Sequence, residues 1–141
     1  MAAQRFPIRI GRRSAPLLRV IFGVKPAEAA VTLTDEPDGR LDARFGWSHL
    51  ETPIANVASW RIEGPWAWAT AIGVRVSIRH RDVTFGGSPR GGVRVDFEDP
   101  PKLGPLHVPA LYVTVEDLEG LAAALKDRGI GGEDARRKTI P

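Results

Sequence analysis

The side chains able to do chemistry are few and widely separated. His49, His80 and His107 are the imidazoles of the chain. None has a second ligand at a spacing such as His-x-x-x-His, which would put two metal ligands on one helix face. There is no cysteine, so thiolate metal sites, cysteine nucleophiles and a disulfide framework are all excluded. Serines and aspartates occur, but no serine stands in a nucleophile-elbow pattern. The GGSPRGG stretch at 86–92 is glycine-rich, yet no Lys-Ser/Thr follows and no helix opens from it. It reads as a hairpin connection rather than a phosphate cradle. The expectation is therefore a protein that is not an enzyme and carries no cofactor and no metal.

Arginine and tryptophan offer contact chemistry instead. Trp60 falls in a strand pattern and reads as core. Trp66 and Trp68 flank a loop after Gly64 and Pro65, and an exposed aromatic pair there would mark a contact site, because Trp and Arg dominate interface hot spots. The plainer reading folds both over the end of a sheet. Arg75, Arg79, Arg81 and Arg94, joined by Arg61, are candidates for one outer sheet face that binds an anion or an acidic surface. The plainer reading is a solvated face balanced by Asp82, Asp96 and Glu98. Arg12 and Arg13, with Arg5 and Arg9 before them and Leu17, Leu18, Ile21 and Phe22 after, could dock on an anionic membrane. The competing reading packs that apolar run on the domain. Nucleic-acid binding, which wants basic and aromatic residues interleaved on one face, is disfavoured.

Charge is distributed unevenly. The chain of 141 residues has a net charge of +3. Residues 1–34 hold six Lys/Arg against one acid, Glu28, whereas residues 35–70 hold six acids against three basic residues. The basicity belongs to the N-terminal arm. No apolar run approaches the ~20 residues that span a bilayer, and the first residues lack the apolar core of a signal peptide. A cytoplasmic protein with no transmembrane segment is the expectation.

One stretch dictates how these residues must be positioned. Leu111, Val113 and Val115 alternate with Tyr112 and Thr114, the period of a half-buried strand. The period then changes. Leu118, Leu121, Ala122 and Leu125 fall on one helix face, with Glu116 or Asp117 as N-cap, Lys126 and Arg128 suiting the C-terminal dipole, and Gly129 just past the end. A helix of about twelve residues is marginal alone and must be docked. Upstream lie short strands with turns between them. Phe6, Ile8 and Ile10 share one face, with Pro7 arguing for an edge. Residues 17–22 are strand or short helix. DEPDG at 35–39 is a hairpin turn with Leu41, Ala43 and Phe45 inward after it. Gly46 and Trp47 mark a bend, residues 53–62 form a bulged strand, 79–82 a hairpin turn, and 99–109 an extended connector. About seven strands and one helix result, which is a barrel or sandwich.

The pieces FGW at 45–47, TPIANV at 52–57, EGPW at 63–66, GVRVS at 73–77, VRVDF at 93–97 and YVTVEDLEGL at 112–121 make the chain resemble bacterial pleckstrin-homology-like (PH-like) domains, and small actinobacterial proteins among them. The similarity covers residues 30–126. It implies a mainly β fold, a curved seven-stranded antiparallel β-barrel or sandwich capped by one C-terminal α-helix at 116–128. Residues 1–29 would be a basic arm packing on the domain, 30–129 the barrel and its helix, and 130–141 a loose polar tail. Eukaryotic relatives bind phosphoinositides through a basic first loop. Here that loop is acidic, so the resemblance does not carry the site over. The functional expectation is a non-catalytic interaction or scaffold module with a protein partner or self-association. The alternative is a binder of a small anion or an anionic lipid, or a membrane tether acting through the basic arm.

Overall fold

A computed structural model describes residues 4–12, 14–25, 27–35, 39–64, 73–77, 82–87 and 91–135, with backbone alone at 73, 75–77 and 82. Its architecture is mainly β. The strands are β1 (Gln4–Pro7), β2 (Ala30–Thr34), β3 (Arg40–Phe45), β4 (Ser48–Pro53), β5 (Val57–Glu63), β6 (Gly73–Ser77), β7 (Asp82–Gly86), β8 (Gly92–Phe97), β9 (Lys102–Leu103), β10 (Leu106–His107), β11 (Ala110–Val113) and β12 (Gly132–Asp134). The helices are α1 (Ala15–Phe22) and α2 (Leu118–Asp127).

Two sheets face each other. The first is antiparallel throughout, in the order β1-β2-β3-β4; the second runs β12-β5-β8-β11-β7-β6. Alternation decides which side chains meet. Leu33, Leu41, Ala43, Phe45 and Leu50 of the first sheet are buried, as are Ile62, Val83, Phe85, Val93, Val95, Leu111 and Val113 of the second. Phe45 and Phe85 stack across the gap with ring centroids 5.7 Å apart. The chain after β1 stitches the sheets at one corner. Ile8 bridges Val115, the Arg9 amide donates to the Thr114 carbonyl, and the Glu116 amide donates to the Pro7 carbonyl.

The sheets stay open among the described residues, so of the expected barrel or sandwich the closed barrel is not formed. Between β4 and β5 a 3-10 turn, Ile54–Asn56, carries the chain out of the first sheet and into the second. Asn56 pins that exit: its side-chain NH2 donates to the Asp99 carbonyl and the Thr52 hydroxyl, and its side-chain Oδ1 accepts from the Asp99 amide. The predicted strand over 53–62 is thus two elements, with the bulge falling between Val57 and Ser59. The expected tail also differs. Residues 132–134 add a strand parallel to β5, with the Trp60 indole N–H donating to the Ile130 carbonyl.

The C-terminal helix forms as its sequence predicts. Asp117 is the N-cap and accepts from the Gly120 amide. At the other end the Gly129 amide donates to Lys126 and the Ile130 amide to Leu125, with Gly129 at φ 84°, the two bonds of a Schellman motif. Leu121, Ala122, Ala124 and Leu125 are buried against β5 and β8. The acidic hairpin turn is tied to this helix by a bidentate pair, Arg128 to Asp35, at 2.8 and 3.0 Å. Strand β11 is buried at every position rather than alternately, and it lies in the interior of its sheet between β8 and β7.

A second helix corrects the expectation of one. Residues 15–22 are helical, with Pro16 in the first turn, where a missing N–H costs nothing. Gly23 at φ 68° ends it.

Candidate functional site

Helix α1 is apolar nearly all round: Leu17, Leu18, Val20, Ile21 and Phe22 leave only Arg19 as a charged position. A helix of that kind is normally buried on every side. Here one stripe is. Leu18 is 0% exposed and Phe22 packs against the core, while Leu17 is 40%, Ile21 53% and Val20 79% exposed. Positions 17, 20 and 21 are related by i, i+3 and i+4, so they form one outward face.

Trp47, 77% exposed, extends that face. It sits in the two-residue turn between β3 and β4, and its amide donates to the Phe22 carbonyl at 3.2 Å. Two glycines make this close approach feasible. A Cβ at Gly46 would collide with the Phe22 carbonyl, and a Cβ at Gly23 would collide with the Trp47 indole. The hairpin tip and the helix end are thus held together with four large apolar side chains facing out. Of the described residues, only Leu106 adds a further large exposed apolar group, and it lies on β10.

The sequence-predicted site residues fare unevenly. Trp66, Trp68, Arg79, Arg81 and Arg13 lie outside the described residues. Arg12 is exposed in the turn before α1. The register puts positions 75, 84, 112, 94, 61 and 133 in one row across the second sheet, so Arg75 and Arg94 are separated by two strands rather than adjacent. Three strand spacings of ~4.8 Å put their backbones roughly 14 Å apart. Arg94 is held by Asp96 at 3.2 Å, and Arg61 by Glu63 and Glu133. Within this row the described arginine side chains, Arg61 and Arg94, are cross-strand neighbours, and each lies against acids.

Sequence reasoning missed two features. Trp47 reads as a bend, with no signal that its ring would join α1, which ends 25 residues earlier. The second feature is on the outer face of β3 and β4, where Asp42, His49 and Glu51 bring one donor atom each within 4.8 Å of the others. His49 had no ligand spacing in sequence; cross-strand pairing of Asp42 with Glu51 and Arg44 with His49 supplies the neighbours. The donor set suits a divalent cation, but its charge is already met. Arg40 holds Glu51 at 2.8 Å, and Asp42 is approached by Arg44 at 3.4 Å and by His49 at 3.0 Å. The Arg40 hydrogen bond, then its charge, holds the Glu51 carboxyl below its ordinary value. The group reads as a cross-strand ion-pair ladder.

Comparison with protein-family models, with characterised proteins and with solved structures finds no match. No helix among the described residues is long and apolar enough to cross a membrane.

Proposed function

We propose that this chain is a non-catalytic interaction module and that the α1–Trp47 face is its contact surface. One observation carries the reading: Leu17, Val20, Ile21 and Trp47 stand exposed together on an element that is itself firmly docked. Exposed apolar patches of a few hundred Å² on a monomer are often functional. The outward face is not a loosely held segment, because Leu18 anchors α1 from below and the Phe22–Trp47 hydrogen bond fixes the hairpin beside it.

The PH-like fold belongs to the same proposal. The mainly β architecture and the terminal helix packed by Leu121 and Leu125 support it. The open sheets, α1 and β12 are additions to that pattern. The cysteine-free composition supports a cytoplasmic setting.

The test is partner-independent. The full chain is produced in cells with a photo-crosslinking amino acid at Val20 and, separately, at Ala58, an exposed position on β5. Adducts should form at Val20 in clear excess over Ala58. Equal adduct yields at the two positions would refute the contact surface.

A further inference from the structure

We infer that the partner of this face is an anionic lipid bilayer, an inference that rests on the α1–Trp47 face being the contact surface. The argument is one of charge complementarity. Outside the N-terminal segment, every arginine whose side chain is described is neutralised by a nearby carboxylate: Arg40 by Glu51, Arg44 by Asp42, Arg61 by Glu63 and Glu133, Arg94 by Asp96, Arg128 by Asp35. Around α1 the pattern reverses. Arg12 precedes the helix, Arg19 lies on it and Lys25 follows it. All three are exposed, and among the described residues no ion pair holds them. Glu28 is the single acid in residues 1–34. Arg12, Arg19 and Lys25 thus form a group of exposed cations without an ion pair around α1; among the described residues Lys102 and Lys126 are likewise exposed without one.

An apolar helix face with Trp beside it and cations at its rim is the composition of an interfacial membrane contact. The apolar side chains enter the headgroup boundary, the indole settles at the interface, and the cations meet lipid phosphates. Neither protein alternative fits as well. Four side chains fall well short of the ~800 Å² per partner of a stable protein interface. In a two-fold contact between copies this face would meet itself, bringing two sets of Arg12, Arg19 and Lys25 together with Glu28 as the single acid of residues 1–34.

The experiment is co-sedimentation of the full chain with phosphatidylcholine vesicles, with and without phosphatidylglycerol. Binding should require phosphatidylglycerol and should fall at least tenfold in high salt, since exposed charges are screened within about 10 Å at 0.1 M. Val20→Asp and Arg19→Glu with Lys25→Glu should each lower binding at least tenfold without moving the melting temperature, because all three side chains point away from the core. No sedimentation, equal sedimentation with neutral vesicles, or no effect of these variants would overturn the bilayer. If vesicles fail while the Val20 crosslinker captures a protein, or a second copy, the contact surface stands and the bilayer falls. If Val20 adducts match those at Ala58, both fall.

Discussion

Replacing Leu18 with alanine should destabilise the fold by about 3 kcal/mol, whereas Val20→Ala, two residues along the same helix, should change stability by less than about 0.5 kcal/mol. The contrast follows from burial. Leu18 is 0% exposed and Val20 79%. Leu→Ala removes three carbons, each worth ~0.8 kcal/mol when buried, or about 2.4 kcal/mol of transfer, and an incompletely collapsed cavity adds to that. Val20 has little burial to lose, and alanine is a better helix former. Urea unfolding measures both, with the slope of the transition unchanged if the mutations act on the folded state alone. Near the midpoint, about 3 kcal/mol corresponds to a melting temperature lower by roughly 10 °C for a chain of this size. A neutral Leu18→Ala would mean that α1 is not docked, and the outward face would lose its scaffold. A destabilising Val20→Ala would mean that Val20 is covered in solution. If that cost grew with protein concentration, the cover would be a second copy.

Two further outcomes test the electrostatics. A double-mutant cycle with Arg128→Met and Asp35→Asn should give a coupling of about 1 kcal/mol, above an exposed pair because the contact is bidentate and half-buried; a coupling near zero would mean that the acidic turn is not tied to α2. Arg40→Met should raise the Glu51 carboxyl toward its ordinary 4.5, read by side-chain NMR titration. Because the folded value lies below the unfolded one, the pair stabilises the fold above pH 4.5 and loses that contribution as pH falls through the folded value; an unmoved Glu51 would show that Arg40 is not its partner.

Local patterns were legible where one segment carries its own signal. The helix at the C-terminal end is written in the spacing of Leu118, Leu121, Ala122 and Leu125, in the Asp117 cap and in Gly129. The inward faces of β3 and β8 follow from strict alternation of Leu41, Ala43 and Phe45, and of Val93, Val95 and Phe97. Residues 17–22 are ambiguous in sequence because a short, mostly apolar stretch fits either period. Pro16 and Gly23 bracket it, but docking through Leu18 is what settles it as a helix. Trp60, which reads as core, is half-buried, with its N–H donated to the Ile130 carbonyl just before β12.

The sequence by itself thus determined the β-rich class, the terminal helix and the basic bias of the first 34 residues, because periodicity, caps and charge are properties of neighbours along the chain. Tertiary structure alone decided that the sheets stay open, that Asp42 and Glu51 surround His49, and that Trp47 comes to rest on the end of α1. Each of these depends on which strands pair and in what register, and pairing is settled by burial summed over distant residues. The same cause explains the contact face. The five large apolar residues of α1 could have been wholly buried, and only the packing of Leu18 below and Trp47 alongside leaves Leu17, Val20 and Ile21 facing out.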